Sequence, residues 1–185
     1  VAAAVLASVA CGIVGSYVVV RRSTYVAGAV SHCVLGGMGL ARYLQRVHGV
    51  QWMSPLIGAA MAAVVAAVII GLVTIRGRQR IDTVLSAIWA LGMATGISFI
   101  MATPGYNEDL MSYLFGNILM VARADLGLML LLNLAVVTVV LLFYDRFVAI
   151  SFDRQLARLR GLHVHGYELL FLVLTALTIV LLVKV

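Results

Sequence analysis

Six predominantly apolar runs follow one another along the chain, at 1–20, 24–44, 55–75, 81–102, 126–143 and 167–183. A helix rises 1.5 Å per residue, so about 20 residues match the roughly 30 Å hydrocarbon core of a bilayer. Inside lipid every backbone N–H and C=O must be paired within the protein, and a continuous helix does this within one segment. Each run is therefore predicted to be a membrane span. Of the 185 residues, 64% are hydrophobic and 11% charged, more apolar surface than a soluble domain of this length can bury. The expected fold is all-α: a polytopic transmembrane helix bundle forming a single domain over 1–185.

The charges between the runs set the orientation. Alternating sides groups Arg21, Arg22, Arg76, Arg78, Arg80, Arg146, Arg154, Arg158 and Arg160 against Arg42, Arg46, Arg123 and Lys184. Nine cations against four make the first side cytoplasmic. The net charge of +6 thus speaks to topology, and a nucleic-acid surface is not expected, because the arginines only punctuate apolar spans. Cys11 and Cys33 both lie in apolar runs without metal-module spacing and read as free, small hydrophobes.

Two connections carry more than charge. On the outer side, 103–125 holds a second apolar piece at 110–121, too short to cross and return, which reads as a passive interfacial helix or a re-entrant one at a cavity mouth. On the cytoplasmic side, SFDRQLARLRG (151–161) reads as one short amphipathic helix. Ser151 is its expected N-cap, Asp153 lies in its first turn and Gly161 ends it. Phe152, Leu156 and Leu159 form the apolar stripe and Arg154 and Arg158 the solvated face. Such a helix either rests on the membrane surface or docks to a cytoplasmic protein.

Helices in lipid approach closely only where side chains are small. The second run supplies two rows at four-residue spacing, Gly28, His32 and Gly36 beside Ala29, Cys33, Gly37 and Ala41. Gly12, Gly15 and Ser16 in the first run, and Gly92, Thr95, Gly96 and Ser98 in the fourth, are the expected facing surfaces.

His32 interrupts this small apolar stretch ten residues beyond Arg22, about 15 Å into the membrane. An ionisable group at that depth is costly and is by default a functional candidate. A neutral imidazole there either fixes packing through a hydrogen bond to a neighbouring helix or ligates a divalent transition metal. One histidine is not a metal site, and no acidic residue lies within a helical turn of it. His48, His163 and His165 fall in loops, where solvation accounts for them.

Four strings together, GSYVVVRR (15–22), GAVSH (28–32), YLFGNIL (113–119) and SFD (151–153) with Ala157 and Gly161, resemble the permease subunit of ABC importers for zinc, manganese and iron. They keep that family's order and spacing over essentially the whole chain. The resemblance implies a type II importer architecture in the inner membrane, built as a homodimeric pore. A cytoplasmic ATP-binding subunit would dock below and an extracytoplasmic metal-binding protein would deliver zinc, manganese or iron above, with no permanent cofactor. This sequence has no GxxxxGK[ST] loop, so ATP hydrolysis belongs to the partner.

Residue by residue, the resemblance makes 151–161 the coupling helix, its Phe152, Leu156 and Leu159 seated in the ATPase and Arg154 or Arg158 pairing with acidic groups at the rim. Tyr113, Phe115, Gly116 and Asn117 would lie near an external gate, and His32 would belong to the metal path. Many family members carry an aspartate one turn before that histidine, where this chain has Gly28. The remaining ligands would then come from other helices or the second protomer, or the metal passes with weaker coordination. The family also continues through further spans and Val1 opens within an apolar run, so the sequence is expected to be clipped at both ends. Other expectations are a chelate or cobalamin-like cargo in a wider pore, a structural membrane subunit, or an intramembrane enzyme using His32. The last lacks a partner nucleophile or carboxylate at that depth.

Overall fold

The computed structural model describes residues 2–50, 52–77, 80–104 and 123–183, all of whose regular structure is helical. The helices are α1 (Ala2–Val20), α2 (Thr24–Val47), α3 (Pro55–Arg76), α4 (Ile81–Ala102), α5 (Arg123–Leu142), α6 (Tyr144–Phe152), α7 (Arg154–Leu159) and α8 (Val164–Val183). Each apolar run of the sequence is a helix. Among the described residues four of these, α2, α3, α4 and α8, are long and apolar enough to cross a bilayer, and five if the bent pair formed by α5 and α6 counts as one span.

Local chemistry sets the helix ends. Ser54 accepts a hydrogen bond from the Ile57 N–H at 3.3 Å, and Pro55 fills the first helical position of α3, where a missing N–H costs nothing. Gly77 ends α3 in the left-handed region at φ 60°. Between α1 and α2 the same conformation falls on Arg22, at φ 52°. A non-glycine residue pays about 1 kcal/mol for this. The tight turn it permits, closed by the Ser23 N–H to the Val18 carbonyl, holds both arginines at the end of the bundle.

Helix α2 lies between α3 and α4, and α8 packs on α3, α2, α1 and α5. Two apolar clusters result. One joins Val30, Val34 and Leu35 of α2 to Ala63 and Ile70 of α3, Leu85 of α4 and Val180 of α8. The other joins Val14 of α1 and Val136 of α5 to Phe147 of α6 and Leu174 of α8. Helix α8 belongs to both, and so ties the two halves together.

Around α2 the contacts are between backbones. A Cβ on Gly37 would overlap the Gly58 carbonyl oxygen and the Ala62 methyl of α3. A Cβ on Gly36 would sit 3.0 Å from the Gly92 carbonyl oxygen of α4, and one on Gly92 2.7 Å from Cys33 Cα. The facing surfaces expected on α4 are thus found at Gly92, Thr95 and Gly96 but not at Ser98, which is exposed and donates to the Ala94 carbonyl of its own helix. Those expected on α1 are not: Gly12 and Gly15 meet nothing within 4 Å among the described residues, and Ser16 bonds only to its own helix, at the Gly12 carbonyl. The second surface is on α3, through Gly58 and Ala62.

The 151–161 segment also differs from expectation. The chain bends by 67° after α5, at Phe143, and continues as α6 to Phe152. Ser151 is near the C-terminal end of α6, not an N-cap. Its hydroxyl donates to the Phe147 carbonyl at 2.6 Å. Asp153 is the N-cap instead, extended at φ −150°, its carboxylate accepting from the Gln155 and Leu156 N–H groups at 2.8 and 3.0 Å. A side chain able to satisfy two orphan donors favours a restart of the helix, so one expected helix becomes two. Gly161 follows α7 at φ 77°, ending it as expected.

Substituting Gly37 with valine should overpack α2 against α3 and destabilise the protein by about 2 kcal/mol or more, whereas Gly12→Ala should change stability by no more than about 0.5 kcal/mol. Unfolding of the detergent-solubilised variants measures both, and equal stability of the two would contradict the close approach at Gly37.

Candidate functional site

Two regions gather the polar groups. The first is at His32. Its ring stacks on Trp89 of α4 with centroids 4.3 Å apart and planes 19° from parallel. Gly28, one turn earlier, makes room for this: a Cβ there would lie 3.1 Å from the Trp89 six-membered ring. Glycine, histidine and tryptophan thus form one unit, in which the missing side chain at position 28 is occupied by an aromatic face. The His32 Nδ1 is buried without a hydrogen-bond partner. The expected packing bond to a neighbouring helix is therefore absent at that nitrogen, and stacking restrains the ring instead.

Among the described residues no three His, Cys, Asp or Glu side chains gather closely enough to hold a metal ion. His32 is therefore not part of such a cluster among the described residues.

The second region is the end of the bundle formed by the α1–α2 turn, α6 and α7. Phe152, Leu156 and Leu159 are all exposed, Phe152 and Leu159 to 85%. Ala157 faces inward and packs with Ile150 and Val164. The arrangement anchors α7 by a small residue and leaves its large apolar side chains facing outward. Above it an aromatic group of Tyr17, Phe143, Phe147, Tyr167 and Phe171 meets at centroid distances of 5.7 to 6.4 Å, mostly edge to face. Such contacts clamp α6 to α1 and α8.

Arg154 does not wait for an external acid. Its Nε lies 3.1 Å from Glu168 Oε1 of α8, an ion pair whose alignment falls short of a directed hydrogen bond. Arg158 is exposed. Arg21 donates from Nε to the Ser151 hydroxyl at 3.1 Å and lies over the Phe171 ring, 4.6 Å from its centroid. Burial pushes the Arg21 guanidinium below its ordinary pKa, and the Glu168 carboxylate acts in the opposite sense.

Sequence reasoning assigned no site role to Trp89, Glu168, Arg21 or Asn133. The last is buried in α5 and donates from Nδ2 to the Leu6 carbonyl of α1, a polar tie between two apolar helices. A lone asparagine within a leucine run was the available signal. The expected gate residues Tyr113, Phe115, Gly116 and Asn117 lie outside the described residues.

With Trp52 replaced by phenylalanine, Trp89 becomes the sole indole. Gly28→Leu should then drive its ring off His32 and shift its emission, while Gly28→Ala should leave the spectrum nearly unchanged; identical spectra for the two would rule out the stacked arrangement.

Comparison with known proteins matches this architecture. A "Probable metal transport system membrane protein" of Chlamydia trachomatis is 41% identical over 179 residues, covering 97% of this chain and 61% of that protein. A "Manganese transport system membrane protein MntC" of Halalkalibacterium halodurans is 32% identical over 178 residues, covering 96% of the chain and 59% of the relative. The chain thus spans about three fifths of the length of these relatives. The solved structure "PsaBC from Streptococcus pneumoniae in complex with Fab" superposes with a TM-score of 0.80 at 28% identity, covering 99% of this chain and 63% of that one. The model of the ABC 3 transport family matches residues 1–185 throughout, and the chain belongs to that family as a multi-pass inner-membrane protein.

Proposed function

We propose that the chain is the membrane-spanning permease part of an ATP-binding-cassette importer for a divalent transition metal ion, zinc, manganese or iron. The observation that carries this reading beyond family membership is the cytoplasmic end, where α6 and α7 offer Phe152, Leu156 and Leu159 to a partner while Ala157 holds them to the bundle. That partner is a separate ATP-binding subunit. Force reaches the bundle through α7, and an extracytoplasmic metal-binding protein loads the opposite side, near Tyr113, Phe115, Gly116 and Asn117.

In this reading α1, and the bent pair α5 and α6, also cross the membrane, giving six spans of type II importer architecture. Two copies enclose the path. His32 contributes one imidazole, Trp89 holds the ring, and Gly28 leaves space for Trp89 where an acidic ligand would otherwise stand. The rest of the coordination shell comes from the second copy or from helices beyond the described residues. With few ligands the metal is held weakly, which suits passage: a site that bound tightly would release slowly.

A second reading, a metal chelate or cobalamin-like cargo in a wider pore, draws on the lack of any three-ligand group among the described residues. Competition separates the two.

The full-length permease, reconstituted with its ATPase and binding protein, should take up Mn²⁺ in an ATP-dependent manner, with free Zn²⁺ or Fe²⁺ competing. Uptake that ignores all three free ions would favour the chelate. Phe152→Asp should abolish uptake while membrane insertion persists. His32→Ala should reduce uptake about tenfold, the equivalent of about 1.4 kcal/mol of lost coordination; full uptake by that variant would return His32 to a packing role.

A further inference from the structure

Helix α7 is only six residues long and its buried contact is a single alanine. Movement imposed on so short an element needs a firm link to the bundle, and the polar link present is the ion pair from Arg154, its first residue, to Glu168. Glu168 stands in the second turn of α8, the helix that shares both apolar clusters. Its side chain is only 13% exposed, against 59% for Arg154. A carboxylate so far withdrawn from water must keep a cation nearby, because an unpaired charge in that setting is strongly unfavourable.

A second cation is in place. Arg21, in the α1–α2 turn, and Arg154 line the same pocket of about 240 Å³ as Glu168. Arg21 is held by the Ser151 hydroxyl and by the face of Phe171, three residues beyond Glu168, and its Nη2 is buried with no partner. Glu168 therefore shares this pocket with Arg154 of α7 and with Arg21 at the end of α1, and Arg22 and Asp82 line it as well.

Resting on the importer reading, we propose that Glu168 is the positioning residue that carries motion of α7 into the transmembrane bundle, by exchanging Arg154 for Arg21 as its partner. When a docked ATPase draws α7 away, Arg154 withdraws and the carboxylate turns to the unpartnered Nη2 of Arg21. That pulls the α1–α2 turn toward α8, and α2 carries His32. The exchange gives two discrete arrangements that both the cytoplasmic helix and the path can bias, the physical requirement for coupling over distance. Glu168 keeps a guanidinium partner in both.

The test uses the complete importer in proteoliposomes, with ATP hydrolysis and Mn²⁺ uptake measured in the same vesicles. Arg154→Gln alters a mostly exposed side chain and leaves the core intact. It should retain ATP hydrolysis within about twofold while the Mn²⁺ moved per ATP falls about tenfold, within the usual span of coupling free energies. Glu168→Gln should do the same, and Glu168→Asp should recover part of the ratio. An unchanged ratio in Arg154→Gln overturns the proposal whatever Glu168→Gln does. If wild-type vesicles hydrolyse ATP but move no Mn²⁺, Zn²⁺ or Fe²⁺, the importer reading itself fails and the proposal falls with it.

Discussion

The structure depends on the contact of α2 with the backbones on either side of it. Water drives no association of apolar helices within a bilayer, so the pairing relies on dispersion, which falls off steeply with separation. Gly36 and Gly37 are adjacent in sequence and therefore about 100° apart on the helix, which turns one toward Gly92 of α4 and the other toward Gly58 of α3. A single pair of glycines thus locks three helices. Everything else on α2 inherits its position from that lock, including His32, one turn before Gly36.

The lock explains why His32 is presented as it is. With α4 drawn in at Gly92, Trp89 lies almost one turn earlier on α4 and its ring reaches the level of Gly28 and His32. A side chain at position 28 would compete with the indole for the same space. An aromatic face supplies no ligand, but it restrains an imidazole without consuming either ring nitrogen. That is a different solution from an acidic neighbour, which would add charge and a hydrogen bond at once.

Much of the fold was legible because a lipid environment makes the rule simple: apolar runs of sufficient length are helices, and the ends of 81–102 match α4. The glycine rows on α2 were legible for the same reason. Their partners were less so, since small residues on α1 and α3 look alike in sequence and only packing distinguishes Gly58, in contact, from Gly12, in open space. The cytoplasmic segment was read as one helix because its apolar spacing fits 3.6 residues per turn, but spacing says nothing about whether Asp153 caps or merely decorates a helix. His32 was found by its rarity. Trp89 was not, because an aromatic residue in an apolar run is unremarkable until its distant partner is known.

The break at Asp153 has a mechanical consequence. A continuous helix from Tyr144 to Leu159 would pivot as a rod, with Phe152 and Leu159 moving together and the bend at Phe143 taking all the strain. The capped break divides it into α6, clamped by Phe147 among the aromatic rings, and α7, held by Ala157 and the Arg154 ion pair. Phe152 is the last residue of α6 and Leu159 the last of α7, so a partner gripping both holds two elements with different anchors. Phe152 ends the helix whose Phe147 packs into the cluster of α1, α5 and α8, and Leu159 ends the one tied to α8 through Arg154 and Glu168. The two exposed side chains thus stand on separately anchored elements that both lean on the helix joining the two halves of the bundle.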